Sequence, residues 1–239
     1  MKLEKIILPF LLILIVSYFC AIFFMPGTKY AFYLKPLLIP VFLGYAILKN
    51  GFVFPKSYSF FVFSFYLGQT FMLFSDNSEM ILQLALVFYI MFYFALINLS
   101  WPQIRDTHFK KIFNGVTLFV ILLNASFLFL IVYIIFKKTT NTITNLITVL
   151  NAISALMLII TALVYLSIDT SKKSFLYFLG TMSLILSDIF SAVNIYYLYV
   201  FELNVLDIIL HFVGFYFIYL FIIEKSKPDK IDFLKIISD

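Results

Sequence analysis

Charge is scarce in this chain. Of 239 residues only 12% are Asp, Glu, Lys or Arg, whereas 64% are hydrophobic and 32 are Phe. A soluble domain of this length keeps only about a quarter of its surface wet, and it cannot hide so much apolar side chain. Cysteine is nearly absent. Cys20 stands alone, which excludes an intrachain disulfide and leaves the redox compartment unread. There are two histidines, His108 and His211, and they fall on opposite sides of the apolar pattern, which argues against a His-based metal site. The seven glycines build no phosphate-cradling loop, and neither G-x-S-x-G nor H-E-x-x-H occurs. No cofactor is therefore expected. The net charge of +5 could suggest a nucleic-acid partner, but the basic residues sit in short loops between apolar runs. That placement points to membrane orientation and away from nucleic acid.

What is present is a series of long hydrophobic runs. Eight emerge, at about 5–25, 30–49, 57–75, 80–99, 112–136, 142–168, 175–200 and 205–224. Each is close to the roughly 20 residues that cross a bilayer core. Each must be helical, because backbone groups in lipid have to pair within their own segment. The first run follows Lys2 and Lys5. It is too long for a signal peptide, and bulky Phe19 just before Cys20 makes a poor lipoprotein site, so a retained helix is expected. Pro36 and Pro40 should bend the second run; Pro102 and Pro228 should lie outside helices and stop them. With the N-terminus cytoplasmic, 13 of the 17 basic residues lie inside. Three (Lys29, Lys137 and Lys138) lie outside, and Lys35 is left within a run. This asymmetry predicts an all-α integral membrane bundle of eight helices with both termini cytoplasmic, in an inner or plasma membrane. Residues 1–224 form the bundle and residues 225–239 a basic tail, either a short interfacial helix or a frayed end. The acids Asp76, Glu79, Glu202 and Asp207 should fall at the outer helix ends.

Two stretches echo each other: LGQTFMLFSD (Leu67 to Asp76) and LGTMSLILSD (Leu179 to Asp188). They lie four runs apart, in the third and the seventh, as a 4+4 parallel duplication would require, and chance in so Leu- and Phe-rich a chain is the rival explanation. Asp188 is the deepest carboxylate. A charge at mid-bilayer costs about 2.5–3.5 kcal/mol on insertion scales, so such a group faces the bundle interior. It serves either function or a packing hydrogen bond. Lys35 either snorkels to the outer interface or holds a lipid phosphate. His211 is either a packing histidine or a proton carrier. In the sixth run Asn141, Thr144, Asn145, Thr148, Asn151 and Ser154 share one helical face. They either bond a neighbouring helix or line a wet cavity. Lys35, Gln69, this stripe and His211 fall in the outer half with Asp188 just beneath, so any cavity should open outward.

These residues resemble a known family, the YhhN-type lysoplasmalogenases, which are eight-helix membrane hydrolases. The second run carries YLKPLLIP (Tyr33 to Pro40), similar to the family's K-P-L-x-x-P element. The seventh matches G-x6-S-D-x3-A-x-N through Gly180, Ser187, Asp188, Ala192 and Asn194. The family's Gly-Asp pair is met by Gly68-Gln69, its fourth-helix histidine by Ile90 with Tyr93 following, and a late glutamine by Leu220. The resemblance implies cleavage of the vinyl ether bond of a lysoplasmalogen, giving a fatty aldehyde and a glycerophospho head group. Protonation of the alkenyl carbon gives an oxocarbenium ion, to which water adds; two acids can divide that work. The expected catalytic set is Asp188, Gln69 and Asp76. Gln69 only orients water, and Asp76 stands about 10 Å further out as the alternative second acid. Lys35, Asn194, His211 and Asn151 are the expected lipid-binding residues. The expected partners are a single-chain lipid substrate and membrane lipids. A non-catalytic lipid-binding protein and a small-solute transporter are the alternatives.

Overall fold

The computed structural model describes residues 55–75, 78–105, 115–198 and 200–226, with isolated positions between 9 and 47. The described residues form six helices: α1 (Lys56–Leu73), α2 (Glu79–Ile104), α3 (Gly115–Lys138), α4 (Thr142–Ile168), α5 (Lys172–Tyr196) and α6 (Phe201–Ser226). They match the third to eighth expected runs in order. All except α1 are long and apolar enough to cross a membrane, so the chain is an all-helical, multi-pass integral membrane protein. Isolated described positions of the first two runs, such as Ile13, Ile39 and Leu43, have helical backbone. Lys35, Asp76, His108 and residues 227–239 lie outside the described residues.

One apolar core runs through the bundle. Its centre is aromatic. Phe61 stacks on Phe92 of α2 at 5.3 Å, Phe65 meets Phe215 of α6 at 4.9 Å, and Tyr177 of α5 meets Phe221 at 5.1 Å. In a bilayer the neighbouring lipid is as apolar as these rings, so close fit and polar links hold the helices together. Tyr177 supplies one link: its hydroxyl donates to Leu96 O (2.8 Å) and accepts from Ser100 Oγ (3.1 Å), joining α5 to α2. A second link caps the end of α2. Lys225 Nζ donates to Leu99 O at 2.6 Å, a cation where the helix dipole is negative. Lys225, assigned by composition to the tail, thus belongs to the last turn of α6.

Pro102 does not stop α2. The helix runs two residues beyond it, to Ile104. Proline removes the bond from its own nitrogen to the Asn98 carbonyl and crowds that carbonyl, but the N–H groups after it stay free to pair, so α2 ends within a turn of Pro102 and not at it. By contrast α5 ends at Tyr196, earlier than its apolar run, and Asn194 Oδ1 accepts from Val200 N (3.0 Å) across the turn into α6. Helix α3 is peripheral. Only 11% of its spanning window is buried, against 44–50% in the other four spans, and Phe119 and Phe129 point outward. Such a face suits acyl chains.

Two glycines set the distance between α5 and α6. A Cβ on Gly180 would meet Ile218 Cδ1 at 2.8 Å and its backbone N at 3.0 Å; one on Gly214 would meet Leu184 Cγ at 2.6 Å and Gly180 O at 3.1 Å. Gly68, at the matching place in the echoed stretch, faces Ala85 O of α2 at 3.6 Å. Each echo therefore places its glycine against the next helix.

Candidate functional site

Along α5 the spacing of three and four residues puts Ile185, Asp188, Ile189 and Ala192 on one face. That face borders a cavity of about 80 Å³, closed by Tyr89 and Tyr93 of α2, Thr148 and Asn151 of α4, Met72 of α1 and the apolar wall of α3. One water needs about 10–15 Å³ measured in the same way, so the space admits several waters or part of a ligand. The lining draws on the second half of α3 and α5 and the first half of α2 and α4. The cavity thus sits toward the end of the bundle that carries the α3–α4 and α5–α6 turns.

Asp188 is half-buried at the cavity wall. Tyr93, itself buried, donates its hydroxyl to Asp188 Oδ2 at 2.7 Å. This bond crosses from α2 to α5 and fixes the carboxyl against the cavity.

The polar face of α4 divides its work. At its end Asn141 Nδ2 donates to Glu79 Oε2 (2.7 Å), and Gln83 Nε2 donates to Thr144 Oγ1 (3.0 Å), so both residues tie α4 to α2. Asn141 Oδ1 also caps the helix, accepting from Ile143 N at 2.9 Å. Further in, Thr148 and Asn151 line the cavity. Both expected uses of the stripe are present on one face.

Gln69, Asn194 and His211 do not line the cavity. Gln69 is buried on α1 but is not among the lining residues. Asn194 spends its Oδ1 on the α5–α6 turn. The ring of His211 packs on Phe65 (4.8 Å) and Phe215 (5.3 Å), away from the cavity wall. Asp76 and Lys35 lie outside the described residues.

Sequence reasoning passed over a second polar cluster. Asp207 was expected at an outer helix end; it is 3% exposed, inside the α5–α6 contact. Ser187 Oγ donates to Asp207 Oδ1 at 2.5 Å and lies 3.4 Å from His211 Nδ1. The signal was there: Asp207 and His211 are four residues apart on one helix face. A Ser, His and Asp together suggest a nucleophile, but the bonding is wrong for one. A reactive serine donates to histidine, whereas Ser187 donates to the carboxylate and is 1% exposed. The cluster is a polar rivet between two helices. Ser187→Ala is expected to lower stability by about 1.5–3 kcal/mol, the worth of a hydrogen bond to a charged partner. Denaturant unfolding in detergent would show it, and an unchanged midpoint would count against the rivet. Tyr93 was noted in the sequence but not assigned to the site; with 16 tyrosines, nothing local marks it out.

No protein-family model, no curated protein and no solved structure matches the chain.

Proposed function

We propose that the chain is an ether-lipid hydrolase of the lysoplasmalogenase kind, cutting the vinyl ether of a single-chain lipid. The wider reading has eight transmembrane helices, both termini cytoplasmic, in the inner or plasma membrane. The observation that carries the proposal is Asp188, held by Tyr93 at the edge of a cavity inside the bundle. A carboxyl wedged among methyl groups with no space beside it would have been a packing device only.

The chemistry needs one proton delivered and one returned. Protonated Asp188 gives its proton to the outer alkenyl carbon, and the ether oxygen shares the positive charge as an oxocarbenium ion. Water adds to the cationic carbon and returns a proton to the Asp188 carboxylate. The resulting hemiacetal breaks its original C–O bond, its hydroxyl proton passing to the departing glycerol oxygen as the C=O forms, and releases a fatty aldehyde and the glycerophospho alcohol. A single carboxyl thus completes the cycle as acid and then base. Tyr93, bonded to Oδ2, keeps the group in one rotamer through both steps. The apolar wall, including Leu128, Ile131 and Ile135 of α3, takes the alkenyl chain.

The full-length protein in detergent, incubated with a lysoplasmalogen mixture, is expected to release long-chain aldehyde. No release at any pH would end the hydrolase reading. One observation favours a second reading, a lipid-binding protein without catalysis: among the described residues that line this cavity, Asp188 is the sole carboxyl. That reading predicts lysoplasmalogen bound to the purified protein with its vinyl ether intact.

A further inference from the structure

The walls of the cavity are not fastened alike. Toward the end that carries the α3–α4 turn, side-chain bonds sew α4 to α2. Thr144, one turn beyond the cavity-lining Thr148, accepts from Gln83 Nε2 at 3.0 Å, and Asn141 Nδ2 donates to Glu79 Oε2 at 2.7 Å. At the cavity itself Tyr93 joins α2 to α5 through Asp188. Parting α2 from α4 or from α5 therefore breaks hydrogen bonds between helices, each worth about 0.6–2 kcal/mol in a membrane.

The α3 wall is held differently. It packs on α4 and α5, and its cavity face is Leu128, Ile131, Val132 and Ile135, which offer hydrocarbon alone. Polar groups on the same stretch bond within their own helix: Asn124 Nδ2 donates to Val120 O (2.9 Å) and Ser126 Oγ to Leu122 O (2.8 Å). The tie to α4 comes at the corner, where Thr139 Oγ1 donates to Asn145 Oδ1 at 2.6 Å. On its other side α3 turns Phe119 and Phe129 outward. Lifting such a wall exchanges side-chain hydrocarbon for acyl-chain hydrocarbon, and no hydrophobic driving force opposes that exchange in a bilayer. Leu128 stands about 16 Å along the helix from the Thr139 corner, so a small swing there displaces it most. We propose that α3 is a lateral gate: it pivots at the Thr139–Asn145 corner, and a lipid slides into the cavity sideways from the bilayer through the seam that α3 makes with α4 and α5. The inference rests on the reading of the cavity as a lipid site, and it does not depend on hydrolysis.

The test ties the gate shut. Helices α3 and α4 leave a short turn in opposite directions, so Phe129 and Ile153 stand at similar heights, and both are exposed. Phe129→Cys and Ile153→Cys are combined with Cys20→Ser in the full chain, which then has no other thiol. A short bis-maleimide that a reductant cleaves joins the pair. Uptake and release of radiolabelled 1-O-alkyl-glycerophosphocholine, which no vinyl ether hydrolase cuts, are timed in detergent before tethering, after it and after cleavage. Association that waits on a conformational change is slow, so the tether is expected to lower both rates by about tenfold or more. Kd should stay unchanged, because a gate slows entry and exit by the same factor, and cleavage should restore both rates. Unchanged rates in the tethered protein overturn the gate. A shifted Kd overturns it as well, since the tether has then altered the site and not the way in. No binding to the untethered protein overturns the lipid site, and the gate with it. A second pair one turn nearer the corner, Tyr133→Cys with Leu150→Cys, decides by the same measurements if the first pair does not fold or join.

Discussion

Asp188→Asn is expected to abolish aldehyde release, with a loss of about 10²–10⁴-fold, the usual worth of a positioned acid–base group. The amide keeps the shape of the carboxyl, and its oxygen still accepts from Tyr93. Fold and lipid binding should therefore survive while turnover does not. That split separates a catalytic acid from a packing group, which would lose stability instead. Initial rates of aldehyde formation and binding of a non-hydrolysable alkyl ether lipid, measured on the same preparation, provide the two readouts. An Asp188→Asn protein that turns over at the wild-type rate would remove Asp188 from the mechanism. Tyr93→Phe is the companion variant. It takes away only the bond to Oδ2, so the carboxyl remains but its rotamer is no longer held. Its rate should fall by about tenfold, the equivalent of one modest hydrogen bond in the transition state.

The largest structural effect is expected from filling the α5–α6 contact. Gly180→Val and Gly214→Val each add a branched side chain where even a Cβ has no space. At both sites the nearest obstacle is a side chain, Ile218 at Gly180 and Leu184 at Gly214, with a backbone atom close behind, Ile218 N at 3.0 Å and Gly180 O at 3.1 Å. Each variant should therefore lose stability at or above the upper part of the roughly 1–3 kcal/mol typical of overpacking. Small residues at helix contacts let backbones approach, and in lipid that close fit carries much of the association energy. Separating α5 from α6 also breaks the Ser187–Asp207 bond and displaces Asp188 from the cavity. Thermal melting in detergent is the check. Gly115→Ala is the control, since an added Cβ there meets nothing within 4 Å. A Gly180→Val protein melting with the wild type would show that the contact gives way easily.

Some of the site was legible before any coordinates. Asp188 stood out because a carboxylate inside an apolar run has no cheap explanation. Thr148 and Asn151 stood out by their spacing on α4. Other parts were hidden for identifiable reasons. Asp207 read as a helix-end acid because it lies close to the start of its run, yet α6 begins at Phe201 and carries it inward. Ser187 was noticed only as part of a motif, and its bond to Asp207 joins residues 20 apart on different helices. Tyr93 meets Asp188 across 95 residues of chain, a distance that no helical periodicity spans. Pro102 looked like an immediate helix stop, yet a proline removes only the bond back to the preceding turn, and Arg105 N still pairs with Trp101 O beyond it.

Composition and periodicity alone determined that this chain is a multi-pass bundle of membrane helices, and which of its polar residues lie too deep in apolar sequence to be accidental. Lipid enforces that much on any chain, since it offers no partner to an unpaired backbone group and penalises charge wherever it sits. Only the tertiary structure decided what those polar residues touch. Asp188 turns to a cavity and takes a bond from Tyr93, Asp207 turns to Ser187, and His211 turns to Phe65 and Phe215. Those choices follow from how helices distant in sequence rotate and approach, and that is set by close fit at positions such as Gly180 and Gly214.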